Sequence, residues 1–134
     1  MTTSYQERSM PAPHLQPGDE PFFEAAAEGR LLIKRCADCN QVHFYPRALC
    51  PFCMSERTEW LETRGEGEIY TYTVTRRVGP VPYVLAYVTL DEGVTMMTNL
   101  VDCDFDSLRI GQRVRVVFKP TTEDGPKVPC FTPA

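Results

Sequence analysis

The sequence predicts a mainly β chain in two parts: a short N-terminal helix with a zinc ribbon, then a five-stranded OB-type barrel. Three observations predict it. Two CxxC pairs, Cys36-Ala-Asp-Cys39 and Cys50-Pro-Phe-Cys53, stand ten residues apart, a separation that brings four thiolates to one tetrahedral metal. From Gly65 onward the apolar residues change to period two, the signature of half-buried strands. Three such strands in a meander, a connection and two further strands match an OB-type barrel. A small sandwich or an SH3-like barrel answers the same pattern. The 134 residues accommodate one ordinary domain or two very small ones.

Residues 1–18 contain Pro11, Pro13 and Pro17 among Ser, Thr and Gln, and read as a flexible leader that wraps a partner or stays disordered. Asp19-Glu20-Pro21 is a helix start, with acids at the positive end of the dipole and Pro in the first turn. The helix runs to Gly29, a favoured terminating residue. Phe22 and Phe23, with Ala26, share its apolar face, which packs on its own chain or docks on another subunit. Leu31 to Arg35 is a strand entering the first cysteine turn, Val42 to Tyr45 the returning strand, and Ser55 to Arg64 a connector. This ribbon segment, 19–64, is too short to bury an adequate core without a metal or disulfides. The barrel segment, 65–134, has strands over Glu68–Thr75, Pro82–Leu90, Val94–Val101 and Arg113–Phe118, and a short edge strand near Pro126–Phe131. Asp91-Glu92-Gly93 is a hairpin turn.

The net charge of −4 is unevenly spread: −4 over residues 1–29, +2 over 30–64 and −2 over 65–134. Four thiolates and a divalent ion bring the middle segment near neutrality, so no part of the chain is a strong attractor of a phosphate backbone. The opening Met-Thr-Thr-Ser-Tyr-Gln-Glu-Arg-Ser has no signal-peptide pattern. No stretch approaches the roughly 20 apolar residues of a membrane span. The expected compartment is the cytoplasm, where thiols stay reduced and paired CxxC motifs favour metal over disulfides. Cys103 and Cys130 read as small buried or half-buried thiols.

With these residues in order, the chain resembles a family of small acyl-CoA-associated proteins that fuse a rubredoxin-like zinc ribbon to an OB-fold. The resemblance runs from Phe22 to Phe131. It rests on a helix and Leu-rich strand entering Cys36-Ala-Asp-Cys39, Tyr45-Pro46-Arg47 before Cys50-Pro51-Phe52-Cys53, and Trp60 shortly before the barrel. Gly67-Glu68-Ile69-Tyr70-Thr71-Tyr72-Thr73-Val74, Pro82-Tyr83-Val84, Leu90-Asp91-Glu92-Gly93 and Phe131-Thr132-Pro133 complete it. Asn40 and Met54-Ser55 depart from the Gly and Gly-Ser usual there and leave the cysteines intact. The resemblance implies a non-catalytic accessory subunit of a thiolase-superfamily, lipid-transfer-protein-like or hydratase enzyme acting on acyl-CoA thioesters. The favoured case is a steroid side-chain retro-aldolase in an α2β2 heterotetramer. The small chain would stabilise the partner and help form the CoA or substrate channel.

The residues agree with a role outside catalysis. The two histidines, His14 and His43, form no obvious Ser-His or Cys-His pair. Four sulfurs on one zinc leave no open position to activate water. Iron, bound in rubredoxin fashion, is the competing metal, and His43 the competing ligand. For CoA, the candidate contacts are Arg47 beside the ribbon, Arg76 and Arg77 at the end of the first barrel strand, and Tyr83 where the long loop re-enters. The candidate partner interface is Phe22, Phe23, Val78, Pro80 and Val81. Two other classes stand beside this reading. A nucleic-acid module would stack bases on Tyr70, Tyr72, Tyr83 and Tyr87, against which the acidic barrel segment argues. A stand-alone acyl-CoA-binding protein is the other.

Overall fold

The structure is a computed structural model and describes residues 3–134. The one α-helix among the described residues, α1 (Glu20–Ala27), begins at Asp19, carries Pro in its first turn and an acid beside it. It ends in paired capping bonds, Gly29 N to Ala26 O at 3.0 Å and Arg30 N to Ala25 O at 2.9 Å. Gly29 sits at φ +82°, a conformation costly for residues with a Cβ. Phe22, Phe23, Ala25 and Ala26 are buried. Of the two readings of this helix, its aromatic face is spent inside its own chain.

The ribbon is a three-stranded antiparallel sheet of order β2-β1-β3, with β1 at Leu32–Cys36, β2 at Val42–His43 and β3 at Thr58–Glu62. The stretch expected to be a connector therefore supplies a strand. Glu59, Trp60 and Leu61 pair with Arg35, Lys34 and Ile33, and the Lys34 ammonium lies 4.4 Å from the Trp60 ring centroid. Pairing to β1 and this cation–π contact outweigh a sequence poor in β-branched residues.

The second part is a closed barrel of order β4-β5-β6-β8-β7, with β4 at Glu66–Thr75, β5 at Tyr83–Leu90, β6 at Thr95–Leu100, β7 at Arg113–Lys119 and β8 at Val128–Pro133. β4 pairs with β7 to close it, and Leu100 of β6 meets Phe131 of β8 in parallel. The third and fifth barrel strands thus lie side by side and parallel, which selects the OB arrangement over the alternatives. Alternation sets the interior: Val84, Ala86, Val88 and Leu90 point in from β5, Met96, Thr98 and Leu100 from β6. A Cβ at Gly67 would stand 2.4 Å from the Thr89 carbonyl oxygen, so the β4–β5 approach requires glycine there.

Ribbon and barrel share one hydrophobic cluster, in which Phe22, Leu31 and Ile33 are continuous with Val84, Val114 and Phe131. The segment read from composition as a flexible leader runs against the barrel from residue 3. Tyr5 N donates to Cys103 O at 2.9 Å, Phe105 N to Thr3 O at 2.7 Å and Thr122 N to Met10 O at 2.9 Å. No described helix is long and apolar enough to cross a membrane.

Phe131 is fully buried where the barrel closes. Phe131→Ala should therefore lower the unfolding free energy by about 3–5 kcal/mol in chemical denaturation, a large part of a small domain's total.

Candidate functional site

Each CxxC sits on a turn built the same way. In the first, Asn40 N donates to Cys36 O at 2.8 Å and Cys36 N to Gln41 O at 2.9 Å. In the second, Met54 N donates to Cys50 O at 2.9 Å and Cys50 N to Ser55 O at 2.9 Å. The residue after each pair, Asn40 at φ 62° and Met54 at φ 66°, is left-handed, so the two departures from glycine occupy equivalent positions. Asn adopts this conformation at little cost and Met at a larger one.

These turns place the four Sγ atoms of Cys36, Cys39, Cys50 and Cys53 within 4.8 Å of one another. Cys36 to Cys53 and Cys39 to Cys50 are each 3.6 Å. A tetrahedron of metal–sulfur bonds of about 2.3 Å has edges of about 3.8 Å, whereas a disulfide would need about 2.05 Å. The sulfurs are thus spaced for an ion held among them. Amide donors support this use: Cys39 N points at Cys36 Sγ and Phe52 N at Cys50 Sγ, each at 3.4 Å. The Cys39 amide holds the Cys36 thiol down to about 6, while Cys39 is raised and Cys53 pushed up to about 12 by burial and by sulfur neighbours such as Cys36 and Cys50; the spacing of the sulfurs, not their titration, marks the metal site. The donor set fits a four-coordinate structural metal. His43 stands outside the cluster; it is buried, with neither ring nitrogen hydrogen-bonded, and burial holds its imidazole below its ordinary value.

The barrel-loop candidates have different surroundings. Arg76 is committed within the chain, donating to Asp106 at 2.6 Å and to Thr3 Oγ1 at 3.3 Å. It holds the Asp106 carboxyl below its usual range. The half-buried Tyr83 has the Arg8 guanidinium 4.2 Å from its ring centroid, so the leader covers part of it. Arg77 is exposed and, like Arg47, forms no ion pair among the described residues. Arg76, Arg77 and Tyr83 gather at one end of the β4–β5 ladder, where Thr75 pairs with Tyr83. Arg47 belongs to the ribbon loop, where its carbonyl accepts from Thr58 Oγ1 at 3.3 Å.

Of the expected interface residues, Phe22 and Phe23 are core, with 2% and 9% of their surface exposed. They offer a partner little surface of their own. Val78 and Pro80 are exposed and Val81 half-buried. Two further apolar surfaces are exposed, the second including Met97 of the Met96-Met97 pair that the sequence marks as apolar surface; Met96 itself is buried. One is Leu49, Phe52 and Met54 around the second cysteine turn; the other is Tyr70, Leu85, Tyr87 and Met97 on the outer face of β4, β5 and β6. Tyr87 and Met97 are paired across β5 and β6. Alternation would have placed them outward once the barrel's inside was known.

Comparison with known proteins follows this division of the chain. Residues 23–59 match the model described as ChsH2, rubredoxin-like zinc ribbon domain, and residues 60–119 that described as ChsH2, C-terminal OB-fold domain. A DUF35 domain-containing scaffold protein of Methanothermobacter thermautotrophicus is 37% identical over 71% of this chain and 76% of its own length. A probable enoyl-CoA hydratase alpha subunit of Thermomonospora curvata is 37% identical over 78% of this chain. The matched part is 34% of that subunit, so the present chain spans about a third of it. A chain of the solved Ltp2-ChsH2(DUF35) aldolase is 34% identical, with a TM-score of 0.76 over 90% of this chain and 98% of that one.

The strained left-handed Met54 gives a direct test of the turn geometry. Met54→Gly should stabilise the metal-loaded protein by about 1 kcal/mol in thermal or denaturant unfolding, and Asn40→Gly by distinctly less.

Proposed function

Because the chain belongs to the DUF35 family, whose ChsH2-type members join a rubredoxin-like zinc ribbon to an OB-fold, we propose a specific role within it. The protein is the non-catalytic accessory subunit of a thiolase-superfamily enzyme that makes or breaks a carbon–carbon bond in an acyl-CoA. Retro-aldol cleavage of a steroid side-chain CoA ester is the favoured reaction. The observation that carries this reading is the likeness to one chain of a two-component aldolase over nearly its whole length. The chain's own chemistry supports it. Four sulfurs fill a tetrahedral site, and among the described residues no histidine is hydrogen-bonded to a nucleophile.

Zinc is the ion, held by Cys36, Cys39, Cys50 and Cys53. When bound it supplies no reaction chemistry, only the cross-link between the two turns. The partner sits on exposed apolar surface: Val78 and Pro80 of the β4–β5 loop, the Tyr87–Met97 face, or the knuckle at Phe52. The acyl-CoA lies at the shared site, with Arg77 and Arg47 the cations free to meet its phosphates and Tyr83 beside them. The working compartment is the cytoplasm, and the assembly a heterotetramer. The nucleic-acid alternative draws on Tyr70 and Tyr87, which are exposed. The outward residues of β5 and β6, from Leu85 to Asn99, include no cation to follow a phosphate backbone.

Purification from the native host should yield this chain together with a thiolase-like subunit, in a complex that cleaves acyl-CoA while the isolated chain does not. Recovery of the chain alone, with salt-sensitive binding to single-stranded nucleic acid, would overturn the reading. Elemental analysis should return one zinc per chain. Cys39→Ser should lose both metal and ribbon folding, whereas a red, iron-containing protein would reassign the metal. Within the complex, Arg77→Ala should weaken acyl-CoA binding by about tenfold, since a charge-assisted hydrogen bond is worth about 1.5–3 kcal/mol.

A further inference from the structure

Where the ribbon meets the barrel there is a cleft of about 330 Å³ that the partner reading does not use. One wall is aromatic: Phe22 and Phe23 from α1, and Phe44 and Tyr45 from the loop after β2. The Phe22, Phe44 and Tyr45 rings form a mutually packed set, with centroids 5.4 to 5.9 Å apart. Val128 and Pro129 of β8 and the leader residues Pro13, His14 and Gln16 also line it. The volume is that of a small-molecule site, and such an apolar hollow prefers hydrocarbon to water.

One side of this lining is polar. Asp19, the residue that starts α1, also faces the cleft although only 5% of its surface is exposed. Its Oδ2 accepts from Gln16 N at 2.9 Å, which leaves acceptor positions on the carboxylate. Tyr45 stands beside it. Burial, and then the neighbouring Asp19, keeps the phenol above its ordinary range, so the hydroxyl keeps its one proton to donate. On its other side Asp19 borders a small hollow of about 70 Å³ shared with Lys34 and Arg47. Neither cation forms an ion pair with Asp19, but both put positive charge on its far side, which weighs against a further cation in the cleft. An anionic ligand would meet its negative charge at short range. What remains is a neutral head that donates one hydrogen bond and accepts another.

We propose that this cleft binds a neutral, largely hydrocarbon molecule carrying one hydroxyl group. The aromatic wall and Val128 hold the hydrocarbon, and Asp19 and Tyr45 orient the hydroxyl. The proposal stands apart from the identity of any partner enzyme, because every group it uses belongs to this chain.

The test uses the full-length, zinc-loaded protein and three probes of one chain length: 1-octanol, octylammonium and octanoate. Binding is followed by saturation-transfer NMR and by the Val128 methyl shifts. Octanol should bind at least about tenfold more tightly than octanoate, a difference of about 1.4 kcal/mol. Asp19→Asn, isosteric and still able to start the helix, should bring the two within about threefold. Val128→Phe should fill the cleft and abolish octanol binding while melting at or above the wild-type temperature. Should that variant fail to fold, Phe44→Leu, which widens the cleft, should shift octanol affinity by severalfold. Absence of octanol binding to the wild-type protein, or octanol binding indifferent to these substitutions, would overturn the proposal. Tightest binding of octylammonium would overturn the head-group assignment. Val128→Phe that leaves octanol bound but loses the partner subunit would show the cleft to be part of the interface instead.

Discussion

Four sulfurs from two distant turns have to converge on one point, and the N-terminal half depends on that convergence. The ribbon sheet has one strand of two residues and two of five, too little to hold itself together. Loops, not strands, carry its chemistry, and each is shaped by backbone bonds that aim amides at sulfur. A structural zinc contributes roughly 10–16 kcal/mol of apparent free energy at neutral pH. That exceeds any packing available to so small a sheet. The same saturation of the ion by thiolates removes it from consideration as a catalyst.

The barrel solves a different problem. Its strands are held by a closed ladder with no free edge, and its interior follows the alternation of β5 and β6. Helix α1 joins the two solutions, since its phenylalanines belong to the same cluster as the strands of both parts. A helix of eight residues is unstable alone, so it owes its existence to being enclosed by the two parts it connects. The enclosure is incomplete on one side, and that is where the cleft with Asp19 and Tyr45 lies.

Much of this was legible in the residues. The CxxC spacing located the sulfur cluster because ligand geometry is local, and period-two alternation located β4 to β7 because burial on one face is written into each strand. The flank of Asp19, Pro21 and Gly29 marked the helix ends. What the sequence left open was long-range. The strand at Thr58–Glu62 exists through pairing with β1, not through propensity. Phe22 and Phe23 are equally apolar whether they face a partner or the chain's own core. The packing of Thr3, Tyr5 and Met10 on the barrel depends on backbone partners about 100 residues away, at Cys103, Phe105 and Thr122. Arg76 could not be told from Arg77 until Asp106 was placed next to one of them.

β8 touches β6, β7 and α1, and it follows all three in the chain. Until it emerges, Leu100 and Val116 lack their neighbour at Phe131, and the helix lacks the strand that covers it. A nascent chain can therefore load its cysteine turns early, while its barrel stays an open sheet with an unpaired edge on β6 and on β7. Emergence of β8 completes the barrel and covers the helix in one event. During synthesis the interval before that event is when the chain is most exposed to aggregation.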